Sequence, residues 1–246
     1  MKNLKFLSLM ALALVAAACG SKPEGTDAEV SEAKEVVEVV ASKTLEVNTT
    51  ESVVSWIGSK PAGKHNGTIP VSAGNLSIEG DQIVGGEFTI NIAGIENEDL
   101  KEDEDSYGKL IGHLKSPDFF DAESHPTAEF VITSVEAYDP NESVEVKEEF
   151  ETDNTPALAN EHIIDAPTHK ITGNLTMRGN TLSISFPANV SMDESGLKAS
   201  AKFNIDRTLW GVKYGDEATA VDKAKDQFIY NTVNVGFDLV AAEPAS

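Results

Sequence analysis

The chain has 246 residues, 40% hydrophobic and 24% charged, with 41 acids against 19 bases and a formal net charge of -22. Such an acidic excess turns the surface away from nucleic acid and anionic lipid. A single cysteine, Cys19, excludes any intrachain disulfide.

The first residues, MKNLKFLSLMALALVAAACG, place Lys2 and Lys5 ahead of an apolar run from Phe6 to Ala18. That run is too short to span a bilayer comfortably. Small residues then lead into Cys19, the order of a secretory signal peptide. The arrangement resembles a bacterial lipoprotein signal, in which the cysteine becomes the new N-terminus and carries the lipid. Acyl chains on one residue hold a protein at a membrane surface without a spanning helix. The expectation is cleavage after residue 18, lipidation of Cys19, and a protein facing the periplasm. Gly20, where an aspartate would retain such a protein at the inner membrane, favours the outer one. Losing the two lysines of the leader would deepen the negative charge by two.

Residues 19–43 are acidic, lack aromatics and carry Ser21, Pro23 and Gly25 near their start, which predicts a flexible tether. From about residue 44 the hydrophobic pattern takes period two. Strands are predicted over 52–58 and 69–78, around Phe88, Ile90 and Ile92, and over 127–135. Further strands follow at 171–177, 182–190, 198–205 and 232–239. In each, apolar residues alternate with polar ones, giving one dry and one wet face. Glu79-Gly80-Asp81 and Arg178-Gly179-Asn180 read as hairpin turns. No helices alternate with these strands, so a parallel α/β sheet is excluded. About eight local, antiparallel strands fit an all-β barrel, with a sandwich as the competing architecture.

Two segments break the alternation. In 95–114, Leu100, Tyr107, Leu110, Ile111 and Leu114 share a helical face and predict a short helix. In 139–166, Glu142, Glu145, Glu148, Glu149, Glu151 and Asp153 against the single Lys147 predict an exposed loop or long hairpin insertion. Between them, Ser116-Pro117-Asp118 is a helix-start signature that puts Phe119 and Phe120 on a single helical turn. Two adjacent rings there require something apolar to cover, which places them at one mouth of the barrel.

Three segments carry a family resemblance. HLKSPDFFDAESHPTAEFVITSV, HKITGNLTMRGNTLSISFPANV and FNIDRTLWGVKYG occur in that order and resemble the YceI-like domain, a family of exported lipocalin-like barrels. The last holds its Asp-Arg-aromatic-Gly element as Asp206, Arg207, Trp210 and Gly211. The resemblance extends over about 44–241. It implies a barrel that holds a polyisoprenoid or isoprenoid quinone for storage, transport or sensing. The ligand tail would lie against Phe88, Ile90, Phe130, Ile132, Leu175, Met177, Leu182, Ile184, Phe186, Phe203, Ile205, Val235 and Phe237. Phe119, Phe120, Trp210 and Tyr214 would frame the mouth, with His113, Lys115 and Arg207 available to a phosphate or quinone oxygen; the alternative for Arg207 is a structural pair with Asp206 or another carboxylate, and for His113 a capping or packing role. The alternative is an envelope stress or interaction module whose core is filled by the same side chains.

Catalytic signatures are absent from the sequence. The five histidines lie outside any HExxH spacing, and there is no GxSxG element. The acids between Glu96 and Asp105 do not follow the EF-hand order. No cofactor or metal is expected, and binding rather than catalysis is the predicted activity.

Overall fold

The structure, a computed structural model, describes residues 27–37, 40–141, 147–159, 161–221 and 227–244. The leader, Cys19, the first part of the tether and part of the acidic insertion lie outside the described residues.

The strands, in chain order, are β1 Glu29–Glu32, β2 Lys43–Val47, β3 Val53–Lys60, β4 Gly63–Glu79 and β5 Gln82–Ile90. Then come β6 Glu96–Asn97, β7 Ala128–Ala137, β8 His169–Met177, β9 Asn180–Asp193, β10 Gly196–Asp206 and β11 Thr232–Ala242. One α-helix, α1, spans Glu104–Lys115. Strands β3, β4, β5, β7, β8, β9, β10 and β11 pair antiparallel in that order, and β11 returns to β3. This is a closed eight-stranded antiparallel barrel, and closure removes the exposed edges of an open sheet. The short β2 continues the place of β3 between β11 and β4.

Alternation dictates which side chains fill the barrel. Phe186, Phe203, Phe130 and Phe237 point inward from four strands and meet around Phe186. The rings of Phe186 and Phe203 stack with centroids 4.2 Å apart. Burying each such ring contributes about 1.5–3 kcal/mol. Gly173 on β8 makes room for this cluster, because a Cβ there would lie 2.3 Å from Phe130 Cζ.

Helix α1 begins where Asp103 accepts a hydrogen bond from the Ser106 amide, and Glu104 and Asp105 suit its positive end. His113 and Lys115 occupy its last turn, and Ser116 ends it. Residues 117–120, predicted as one helical turn, instead form hydrogen-bonded turns continuing from the helix. The Phe119 and Asp121 amides both donate to the Ser116 carbonyl, and the Phe120 amide donates to that of Leu114. Asp121, at φ 49°, takes a left-handed conformation that stops any further helix.

Two further expectations are corrected. The predicted tether contains β1, which pairs with β9 from Glu29↔Ser185 to Glu32↔Leu182. The acidic insertion is a strap rather than an exposed loop. Its residues 147–159 lie over the outer faces of β10 and β11, where Asn204 and Asn234 both donate to the Ala157 carbonyl. Asn234 also accepts from the Ala157 amide, and Asn154 donates to the Pro61 carbonyl. Within the strap Pro156 and Ala159 are buried, as is the side chain of Glu149, which accepts from the Thr232 hydroxyl and pairs with Lys147 at 3.0 Å.

Candidate functional site

The inward faces enclose an apolar cavity of about 150 Å³. Of the thirteen residues predicted to line the barrel, all but Leu182 line this cavity. Leu182 is half-buried and packs against the core instead. Ile171, Ala199 and Leu239, which the alternation puts on apolar strand faces, line it as well, and Val54, Val71, Leu76, Ile83, Ile92, Ala128 and Leu197 complete the apolar wall. Period two within β4 and β10 would have found several of them. Among the described residues that line the cavity, Asp238 alone is ionisable, and it is exposed to solvent. Such a wall offers dispersion contacts and no directed hydrogen bonds, so it would select for apolar bulk rather than for a polar group.

The end of the barrel reached by the β8–β9 hairpin is a floor more than a mouth. Trp210 is fully buried there, and its indole N–H donates to the Leu175 carbonyl at 2.9 Å. It therefore plugs the end instead of framing an opening. Phe119 is buried and Phe120 half-buried in the same apolar cluster. Arg178 knits this end together, donating to the carbonyls of Phe119, Pro117 and Gly211. Its role was missed at sequence level. The only local signal is its place in the turn, where it adopts φ 50°.

Arg207 is corrected from a mouth residue to a structural one. It is 4% exposed, and its guanidinium donates to the carbonyls of Tyr230, Val212 and Ile229. Those bonds leave it turned into the protein, away from any head group. Burial draws its pKa below the usual guanidinium value, partly offset by Asp216, Asp206 and Glu217.

The remaining predicted mouth residues gather on the outer side of the floor. His113 meets the ring edges of Phe119 and Tyr214 at centroid distances of 4.9 and 4.6 Å, and its Nε2 lies 3.4 Å from an Asp118 oxygen. Tyr214 is exposed and Lys115 half-buried. The structure thus brings His113, Phe119 and Tyr214 together but keeps them off the cavity wall.

Among the described residues, no group of three or more His, Cys, Asp or Glu side chains is placed to hold a metal ion. Within the acidic stretch, Asp99 is occupied by His65, the Asn66 amide and Asn97. Buried as it partly is, these hydrogen bonds still hold its pKa below the ordinary carboxylate value.

The family model of the YceI-like domain matches residues 45–241. Two solved structures share the fold. BcnA of Burkholderia cenocepacia is 18% identical with a TM-score of 0.55, the match covering 80% of this chain and 99% of that one. A polyisoprenoid binding domain from Saccharophagus degradans, implicated in plant cell wall breakdown, is 14% identical with a TM-score of 0.54, covering 81% and 98%. At these identities the likeness shows the fold alone. No curated protein matches the sequence.

Proposed function

The chain belongs to the YceI-like domain family, and from that premise we propose that it binds an apolar lipid inside its barrel, most specifically a polyisoprenoid or an isoprenoid quinone. The observation that carries this reading is the apolar cavity at the centre of a barrel whose wall could have been packed solid. The Saccharophagus degradans domain of the same fold is a polyisoprenoid binding domain, which supports the choice of ligand class. Each methylene transferred from water to such a wall contributes about 0.8 kcal/mol, so a short isoprenoid segment supplies appreciable affinity before ordering costs are subtracted.

The leader and Cys19 complete the proposal. The protein is read as a lipoprotein anchored through Cys19, facing the periplasm and held at the outer membrane. A barrel tethered beside a bilayer meets membrane lipids at high effective concentration, which suits storage, sensing or local hand-off. Binding rather than catalysis is the activity proposed.

Incubating the purified protein with vesicles carrying solanesol or an isoprenoid quinone, then separating protein from vesicles, should leave a stoichiometric complex. Phe120→Ala should reduce retention by loosening the floor. Protein that emerges free of both lipids would favour the filled-core reading, in which the chain acts as an interaction module through its outer surface.

A further inference from the structure

Strand β9 pairs with β10 only from Ala188↔Ala201 to Asp193↔Gly196. Toward the floor the two strands part, and β1 fills the gap. Its residues pair with Leu182–Ser185 of β9, while Asp27 bridges Asn204 of β10 in parallel and the Ala28 amide donates to the Asn204 carbonyl at 2.9 Å. Ile184 and Phe186 on one side of the gap and Phe203 and Ile205 on the other all line the cavity. Val30 lies opposite Ile184 and packs with the core, so one inward valine of β1 closes the wall at this level.

The hold on this strand is slight. Glu29, Ser31 and Glu32 are exposed. Among the described residues, outside its backbone pairing and the core burial of Ala28 and Val30, the segment is retained by Glu29 on Lys170 at 3.3 Å, by Asn174 bonded to the Lys34 backbone, and by Asp27 accepting from the Lys147 amide. β1 also precedes residues 45–241, which match the domain family, so it is a stave added from outside the matched domain. The cavity it closes is small. Space of about 150 Å³ holds a molecule the size of benzene, whereas pockets for larger ligands run to roughly 300–1,000 Å³. Neighbouring strands lie about 4.8 Å apart, so removing one leaves a gap of about 9.6 Å, wide enough for an isoprenoid chain.

We infer that β1 is a displaceable stave, and that its release opens a lateral slot between β9 and β10 through which the apolar chain of the ligand passes. The inference rests on the lipid-binding reading above. It also couples uptake to the segment that joins the barrel to Cys19: docking of 27–34 shuts the slot, and undocking admits a chain longer than the resting cavity can hold.

The test is a lock. Ser31 and Ser183 are directly paired, and the Ser183 hydroxyl has no hydrogen-bond partner among the described residues, so its loss leaves nothing unsatisfied. Opposed antiparallel residues lie about 4.5–5.5 Å apart at Cα, within disulfide range. The full chain carrying Cys19→Ser, Ser31→Cys and Ser183→Cys would be offered solanesol in phosphatidylcholine vesicles, oxidised and then reduced. Uptake should be at least tenfold slower in the oxidised form and recover on reduction. Val30→Asn, in the chain carrying only Cys19→Ser, should speed uptake several-fold by weakening the inward face of β1. Equal uptake rates in all three would overturn the slot while leaving lipid binding intact. No uptake by any form, the unlocked parent included, would overturn the lipid reading and the slot with it.

Discussion

Val235→Trp is expected to remove lipid binding while leaving the barrel folded. Val235 faces inward, half-buried, from β11, and it lines the cavity together with Phe203 and Phe237. An indole in place of its isopropyl group occupies most of a space of about 150 Å³. Displacing a single isoprene unit, five carbons, forfeits about 4 kcal/mol of apolar transfer, close to a thousandfold in affinity. The cost to folding is far smaller. Overpacking a filled core costs about 1–3 kcal/mol, and here the added atoms meet open space. Titration with an isoprenoid quinone, read beside a urea unfolding curve, separates the two effects. Unchanged affinity in a folded Val235→Trp protein would place the ligand outside the barrel.

Arg207→Met should do the opposite, harming the fold and sparing the site. Methionine preserves much of the side-chain bulk but withdraws all donors from the carbonyls of Tyr230, Val212 and Ile229. A buried acceptor left without a partner costs about 1–3 kcal/mol. With some relaxation the three together should cost about 4 kcal/mol, a large share of the roughly 5–15 kcal/mol of a typical domain. The buried Glu217 accepts from the Asn231 amide in the same region, and Asp206 caps the 3-10 turn Arg207–Trp210. The midpoint of urea unfolding should fall sharply, with lipid affinity per folded molecule nearly unchanged. A loss below about 1 kcal/mol would show that the three carbonyls find other partners. A selective loss of lipid binding would return Arg207 to the mouth.

The barrel was legible because its staves alternate cleanly. Residues 198–205 and 232–239 each carry four apolar side chains of one parity, enough to fix strand and face without knowledge of the partners. The cavity wall followed from the same parity. What alternation could not convey was the cavity's size, which depends on how side chains from opposite strands meet.

The strand β1 was hidden for a physical reason. Glu-Val-Ser-Glu has one inward apolar residue, and its extended form is imposed by the unpaired edges of β9 and β10. The strap was hidden likewise, since its acids suggest exposure while its contacts are made by Pro156, Ala157 and Ala159. A signal for it did exist on the opposite side. Asn204 and Asn234 face each other across β10 and β11 on the outer wall, where such residues are disfavoured unless something bonds them. For Arg207 the sequence left a head-group contact and a structural carboxylate pair open, and its actual partners, the carbonyls of Tyr230, Val212 and Ile229, carry no side-chain signal.

On the proposed function, the barrel carries lipid in its natural setting. The most direct measurement is mass spectrometry of the organic-solvent extract of protein purified, without its anchor, from its native envelope. A stoichiometric isoprenoid, lost from Val235→Trp prepared in the same way, is the predicted result. An extract without lipid, from protein that also stays empty after exposure to quinones and polyprenyl phosphates, would contradict the account and move the function to the acidic outer surface.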